Sequence, residues 1–295
     1  MPDPAPLGVV VVRFGDPDPT EACLRSLAAD PSTAPRDVAV VDNTPGGGSR
    51  LAAPVALAAE VSLPHNPGYG AGANAGVSAL REGRCHAGYV ILNHDVEVLP
   101  GFLDAAAAAV AGGAGAASGP VYLDRRDGPL WYAGGHLRIL TGTVRQETSP
   151  AEADREKPVA FLPGTAFVSA LRCWDEVGGF DESIFLYHED VDLCRRVSAA
   201  GWELRFVPGM RAIHKMGTST GSRGRSAFYL EHMTATRFRP YRSRIYRAYL
   251  AGLHTPYVVL RAVRVLAAEG EEGSGKARAL LRGHRAALRS VLRRS

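Results

Sequence analysis

The sequence is poor in several things that would narrow its reading at once. It has four cysteines in 295 residues, Cys23, Cys85, Cys173 and Cys194. None forms a Cys-x-x-Cys pair. That excludes a zinc ribbon and a disulfide scaffold, and points to buried thiols in a reducing compartment. There is no internal repeat and no collagen-like period. The longest uncharged stretch, Ala105 to Leu123, is mostly Ala, Gly and Ser with glycines in its middle, too weakly apolar for a membrane span. Met1 to Leu7 is Pro-rich and has no basic segment ahead of an apolar one. The run Val9 to Val12 is too short for a signal-peptide core, so a cytoplasmic location is expected.

What is present is ordinary for a globular protein: 46% hydrophobic and 22% charged residues. The length fits one catalytic-size domain plus an extension, with a core large enough to need no staples. The net charge of +4 conceals an asymmetry. Gly221 to Ser295 holds 16 Lys/Arg against 4 Asp/Glu, which leaves 18 basic and 26 acidic residues for the rest. A basic tail on an acidic body is expected to meet phosphates, a membrane surface or a partner's acidic face. It lacks the interleaved aromatics of a stacking platform, so nucleic acid is not an expected partner.

The first half alternates β-rich runs with helical stretches. Strands are expected at Leu7–Arg13, Asp37–Asp42, Val55–Leu63 and Gly88–Leu92. Helices are expected at Thr20–Ala29, within Gly68–Glu82 after an initial loop, and at Gly101–Ala111. This rhythm predicts an α/β fold with a mostly parallel, Rossmann-like sheet flanked by helices. Hairpins are expected in Gly119–Arg145, a strand over Phe161–Ala170, a helix over Asp190–Ala200, and short strands at Glu203–Val207 and Ala212–His214. Beyond Arg225 the pattern is helical, with a flexible break at Glu269–Gly275.

Five motifs carry chemistry. Asn93-His94-Asp95 follows the fourth strand. Ligands bind beyond the carboxyl ends of parallel strands, and a carboxylate there is placed to hold Mg²⁺ or Mn²⁺ or simply to cap a turn. Asp42-Asn43 marks the same edge; Asp42 either accepts from a base or ribose or opens a Gly-rich turn. His65 to Gly76 is Gly- and Asn-rich, and lets backbone approach a ligand beside a helix N-terminus. Gly68-x-Gly70-x-x-Ala73 satisfies a dinucleotide fingerprint, but after the third strand and not the first. The fourth motif joins Gly178-Gly179-Phe180-Asp181-Glu182 to Tyr187-His188-Glu189-Asp190-Val191-Asp192. Its carboxylates gain from the helix dipole, pair with Arg195 or Arg196, or supply a general base. The fifth, His214 at a strand end, reads by itself as structural more readily than as a ligand.

Taken in order, these pieces resemble the inverting, nucleotide-sugar-dependent glycosyltransferases of family 2, with the GT-A fold, and look most like the rhamnosyltransferase-type branch. The ordered set comprises Val41-Asp42-Asn43, Asn66 to Gly76, Leu92-Asn93-His94-Asp95, Trp131 to Gly135, Gly164-Thr165, the Gly-Gly-Phe-Asp-Glu stretch, the Glu-Asp-x-Asp-Leu helix and a strand ending in His214. The resemblance covers roughly residues 7 to 217. It implies a catalytic domain over 1–220, with a nucleotide-sugar half of about 1–100 and an acceptor half of about 101–220. Residues 221–295 form a basic helical extension.

The resemblance implies roles residue by residue. Phe14, Asp42, Asn66, Gly70, Gly72, Asn74, Asn93, His94, Asp95, Gly164 and Thr165 fall at the nucleotide-sugar site, with Asp42 on the base. Asp95 and His214 would hold Mg²⁺ or Mn²⁺. Asp190 would be the general base, with Glu189 beside it. Trp131, Asp181 and Tyr187 fall on the acceptor side. The expected reaction moves a sugar, rhamnose or another deoxysugar, from a dTDP- or UDP-linked donor. The acceptor hydroxyl would belong to a glycan, a lipid-linked sugar or a natural product. The extension would reach a membrane surface or a second subunit, as in a homodimer.

Three departures from the branch stand out. The first strand ends in Arg13-Phe14-Gly15 where the family has a Thr/Ser-Tyr-Asn type sequence. The metal motif starts with Asn93 and not Asp. Phe228 to His232 lacks the branch's Arg-Asn pair. Two other readings remain in play: a nicotinamide- or flavin-dependent oxidoreductase built on the Gly68–Gly76 loop, and a non-catalytic relative that binds nucleotide sugar or glycan.

Overall fold

The computed structural model describes residues 5–215 and 226–292. The expected boundary at 220/221 and the end of the resemblance at Gly217 lie outside the described residues. The elements of the first half are β1 (Leu7–Arg13), α1 (Pro17–Ala29), β2 (Arg36–Asp42), β3 (Leu57–Ser62), α2 (Tyr69–Gly83), β4 (Gly88–Asn93), β5 (Val96–Val98) and α3 (Phe102–Ala111). Next come β6 (Ala116–Ser118), β7 (Val121–Leu123), β8 (Leu130–Tyr132), β9 (Gly135–Arg138), β10 (Thr143–Gln146) and β11 (Lys157–Pro158). The rest are β12 (Ala166–Ala170), α4 (Leu171–Val177), α5 (Glu189–Ala199), β13 (Leu204–Phe206), β14 (Ala212–His214), α6 (Ala227–Ala235) and α7 (Arg244–Leu292).

An eight-stranded sheet in the order β11-β13-β6-β12-β4-β1-β2-β3 forms the centre. Its β3-β2-β1-β4 half is parallel throughout. The period-2 alternation of the strands divides the core between two faces. Leu7, Val9 and Val11 point with Val38, Val40, Val90 and Leu92 toward Leu24 and Leu27 of α1 and Phe102 of α3. Val10 and Val12 point with Val41 and Ile91 toward Ala73, Val77 and Leu80 of α2. Each fully buried valine contributes roughly 1.5–3 kcal/mol. Both faces are covered, which explains why these strands read as unbroken apolar runs. Gly76 sets the distance of α2 from the sheet: a Cβ there would stand 2.4 Å from Val10 Cγ1.

Helix α1 starts three residues before the expected Thr20, because Asp16 caps it by accepting from the Asp18 N–H and Pro17 fits its first turn. The expected strand at Phe161–Ala170 is strand only from Ala166. Pro163 has no N–H for a ladder, and Phe161 to Thr165 form a buried loop instead. The expected break at Glu269–Gly275 narrows to one residue, Gly270, with φ 56° and ψ −126°. There α7 folds back into two arms. Thr255 Oγ1 lies 2.8 Å from His284 Nε2, and Arg247 Nη1 donates to the Ser290 carbonyl at 3.1 Å, so the arms run antiparallel. With α6 they make a bundle around Leu230, Val258, Ala262 and Leu280.

Candidate active site

The parallel half of the sheet assembles the site by register. Arg13 pairs with Asp42 across β1 and β2, and Val12 pairs with Asn93 across β1 and β4. Three chain ends thus reach the same carboxyl edge, where a doubly wound sheet binds ligands. Asp42 is already engaged. It accepts from the Thr44 and Gly48 N–H groups at 2.9 and 2.7 Å and stands 3.4 Å from Arg13 Nη1. Burial works upward on its pKa, but the hydrogen bonds from Thr44 and Gly48 and the Arg13 guanidinium hold it below the usual carboxylate value. Arg13 itself is buried, and among the described residues its Nε and Nη2 have no hydrogen-bond partner. Sequence reasoning noted Arg13 only as a departure. The available signal was a lone cation closing a valine strand. Phe14 follows it, partly exposed at the lip.

The Gly-rich segment is fixed from behind by protein contacts. Asn43 Nδ2 donates to the Gly68 carbonyl at 2.9 Å, and Asn66 accepts from the Gly68 N–H at 2.9 Å. A Cβ at Gly70 would lie 2.8 Å from Phe180, and one at Gly72 would lie 2.7 Å from the Asn43 amide. The small size of both glycines is thus used in packing. Asn74 clamps the turn between α4 and α5: it accepts from the Phe180 N–H and donates to the Phe180 carbonyl and to Glu182. The loop follows β3, at the edge of the sheet, whereas a dinucleotide fingerprint belongs after β1. That removes the structural basis for the oxidoreductase reading.

His94 and Asp95 form the turn between β4 and β5, and both are buried. Strand β14 lies antiparallel to β5, which brings His214 Nε2 to 3.2 Å from Asp95 Oδ1. Adjacent ligands held at about 2.1 Å in octahedral geometry stand about 3 Å apart. Among the described residues His214 Nδ1 is buried without a hydrogen-bond partner, and Trp131 packs edge-on against the ring at 5.7 Å. Among the described residues no group of three or more His, Cys, Asp or Glu surrounds one point. An imidazole–carboxylate pair suits Mg²⁺ or Mn²⁺ whose remaining positions come from substrate phosphate and water.

Asp190 stands in the first turn of α5. Its Oδ2 accepts from the Gly164 N–H at 3.2 Å and its Oδ1 from the Val191 N–H at 2.8 Å. Thr165 is buried next to Gly164, and its carbonyl accepts from the Asn93 N–H at 2.9 Å. Tyr69, which sequence reasoning missed, donates to the Gly164 carbonyl at 2.5 Å. Burial pushes the Tyr69 phenol well up, and the carboxylates of Glu189, Asp190 and Asp95 push it further. Gly164–Thr165 therefore links the base candidate Asp190, the Tyr69 hydroxyl and the Asn93 end of β4. Burial raises Glu189 and Asp190 above the ordinary carboxylate range, and the Asp190 charge adds to the effect on Glu189. Glu189 Oε2 has no hydrogen-bond partner among the described residues. Asp192 is different: it is buried in an ion pair with Arg196 at 2.7 Å, which settles its role as structural.

The segment that leads into α5 is built around strained backbone. Tyr187 and His188 both have φ of 65°, a left-handed conformation that costs non-glycine residues about 1–2 kcal/mol each. The bundle holds them there. Tyr187 packs edge-on against Tyr229 of α6 at 5.0 Å, and His188 Nδ1 lies 3.0 Å from Thr236 Oγ1. Burial, with Arg237 and His254 nearby, lowers His188 to about 3, so its imidazole is neutral. Asp181 accepts from the Ser183 N–H at 3.0 Å and shapes the turn leading to this segment.

The sheet order and the loops at its carboxyl edge define a GT-A nucleotide-sugar transferase fold. The crystal structure of GalNAc-T7 with UDP, GalNAc and Mn²⁺ is similar, with a TM-score of 0.56 at 14% identity over 82% of this chain and 52% of that one. This chain therefore spans about half the length of that structure. The family described as "Glycosyltransferase like family 2" matches residues 4–250. The chain is also similar to N-acetylglucosaminyl-diphospho-decaprenol L-rhamnosyltransferase of Mycobacterium tuberculosis (strain H37Rv). It is 32% identical over 242 residues, which cover 73% of this chain and 78% of that one. It is 55% identical to Rhamnosyltransferase WbbL of Escherichia coli (strain K12) over 38 residues, 13% of this chain and 14% of that one. The protein belongs to glycosyltransferase family 2, is rhamnosyltransferase-like, and is a transferase enzyme.

Proposed function

We propose that the protein moves a deoxyhexosyl group, rhamnosyl by its likeness to the mycobacterial enzyme, from a dTDP- or UDP-linked donor to a hydroxyl of a lipid-linked sugar. The observation that carries this reading is the Gly164–Thr165 segment, which holds Asp190 through the Gly164 N–H at 3.2 Å and accepts from Asn93, two residues before Asp95, through the Thr165 carbonyl at 2.9 Å. It ties the candidate base to the strand end that carries the candidate cation site.

Asp42, Arg13 and Asn93 line the donor end of the sheet. The unfilled donors of Arg13 suit the carbonyl oxygens of a pyrimidine. Asp95 and His214 would hold Mg²⁺ or Mn²⁺, which when bound neutralises a leaving diphosphate. Asp190 takes the acceptor proton as the hydroxyl attacks the anomeric carbon. The C–O bond to the acceptor forms as the bond to diphosphate breaks on the opposite face, so configuration inverts without a covalent enzyme intermediate. Backbone N–H groups of Gly164 and Val191 aim the carboxylate. Its raised pKa gives it a stronger pull on the proton than an exposed aspartate has. Glu189, pushed higher, stays protonated nearer neutrality and avoids a second charge beside the base. Trp131 and Tyr187 flank the space for the acceptor.

The test is Asp190→Asn, assayed for transfer from dTDP-rhamnose and for donor binding by calorimetry. Transfer falls 10²–10⁴-fold, the usual worth of a general base, while donor affinity changes less than threefold. Equal loss of donor affinity would make Asp190 a binding residue and sink the assignment.

A further inference from the structure

The first arm of α7 is apolar on both sides, and only one side is covered. Leu250, Val258 and Ala262 are buried against α6 and the second arm. On the opposite side Ile245, Tyr249, Leu253, Leu260, Val263 and Leu266 face solvent, Ile245 at 85% exposure. Their spacing keeps them on one stripe of the helix, about 33 Å long at 1.5 Å per residue. The stripe continues onto the β9–β10 hairpin. Tyr249 Oη donates to the Leu140 carbonyl at 3.0 Å, and Ile139 and Leu140 are 70% and 78% exposed. An uncovered apolar surface of this extent marks an interaction site. Among the described residues no helix is long and apolar enough to cross a membrane.

We propose that this face docks on an anionic phospholipid surface, with the helix lying in the interfacial plane. Charge decides between this occupant and a second copy of the chain. Arg261 and Arg264 border the stripe, and the second arm presents Arg278, Arg282, Arg285 and Arg289 to solvent. The described carboxylates of the extension are already paired, Glu231 with Arg282 and Glu269 with Lys276. Two copies meeting here would bring together two segments that each carry 16 Lys/Arg against 4 Asp/Glu, a like-charge contact that disfavours association. An anionic bilayer instead neutralises the arginines, takes up the leucines and valines, and suits the two tyrosines, Tyr249 and Tyr257, at the water boundary. The site of insertion is therefore the first arm and the hairpin tip, while the more basic second arm adds attraction. The bundle grips Tyr187 and His188 beside Asp190. Docking would set the acceptor side next to the bilayer, a corollary that rests on the lipid-linked acceptor proposed above.

The test floats the full chain with vesicles of 1:1 phosphatidylglycerol and phosphatidylcholine, and with pure phosphatidylcholine. It needs no catalysis, so its failure is distinct from failure of the transferase assignment. The wild type binds the anionic vesicles at least tenfold better. Leu253→Gln/Leu260→Gln/Val263→Ser loses at least tenfold in anionic-vesicle binding with unchanged helical circular dichroism, as does Ile139→Ser/Leu140→Ser, which leaves the bundle untouched. Arg261→Gln/Arg264→Gln shows a reduced salt dependence. Wild-type-like flotation of both apolar variants would overturn the proposal. So would an intact chain that does not float but forms a dimer that the triple variant dissociates.

Discussion

The catalytic body and the C-terminal bundle are built from the same elementary rules and yet differ in legibility. The body is acidic. It buries its apolar runs on both faces of one sheet and exposes its chemistry at one edge. The bundle is basic, and the first arm of α7 buries one apolar side while the other faces solvent. In the body the periodicity of a strand states where each residue goes. In the bundle the periodicity of the first arm of α7 states only that it has two apolar sides. Which side is core depends on α6 and the second arm, a tertiary matter. The body is thus a closed solution to burial, and the bundle is open.

The sharpest way to test the body's half of this contrast is Asp190→Asn, with the 10²–10⁴-fold loss of transfer expected above. Its acid limb adds a second check. Asp190 must be ionised to act, and burial raises its pKa. The kcat profile therefore falls off on the acid side well above the ordinary aspartate value of about 4. A limb at that ordinary value would mean that another group sets the rate.

Next in size, His214→Ala or Asp95→Ala should weaken Mn²⁺-supported binding of the nucleoside diphosphate about tenfold or more, with little change in metal-free binding. Undiminished Mn²⁺-supported binding in both variants would remove the cation assignment and leave the 3.2 Å His–Asp contact as a structural hydrogen bond.

The comparison blurs where the two regions touch. Thr236→Val removes the hydroxyl that meets His188 and leaves a buried imidazole nitrogen unpaired, at a cost of about 1–3 kcal/mol. The expected result is a melting temperature lower by several degrees and a reduced kcat with unchanged donor affinity. An unchanged kcat would show that the bundle does not position the strained Tyr187–His188 segment.

The smallest effect is expected at Glu189. Its folded pKa lies above its unfolded value. The folded state therefore binds more protons between the two, and stability present at low pH is lost as pH rises through the folded value. Glu189→Gln escapes that loss. Its melting temperature relative to wild type should rise between pH 5 and pH 9, and a difference that falls would reverse the sign.

Sequence patterns recovered β1 to the residue, β2 and β4 to within one, and both short strands that end the catalytic half. The same logic singled out Asp42, Asn93 and Asp95 as candidates at strand ends, whereas His214 by itself read as structural and became a ligand candidate only through the family resemblance. Asp190 was named on family resemblance, because the spacing of Glu189, Asp190 and Asp192 did not say which was free. The structure separates them by pairing Asp192 with Arg196. Tyr69 was not singled out and Asn43 was named only as part of the Asp42-Asn43 motif, without a role, since a tyrosine after Gly68 and an asparagine after Asp42 look like loop residues until the chain is folded. β5 is three residues long and α4 follows β12 with no intervening loop, too little pattern for periodicity to register. The single-residue turn at Gly270 was hidden by neighbouring charges and glycines that looked like a linker.

The most direct test of the central claim is a calorimetric titration of the full chain with dTDP, UDP, GDP and NAD⁺, each with and without Mn²⁺. The account predicts binding of dTDP or UDP that Mn²⁺ strengthens about tenfold or more, with GDP and NAD⁺ silent. Tight binding of NAD⁺ alone, or pyrimidine binding indifferent to Mn²⁺, would contradict it.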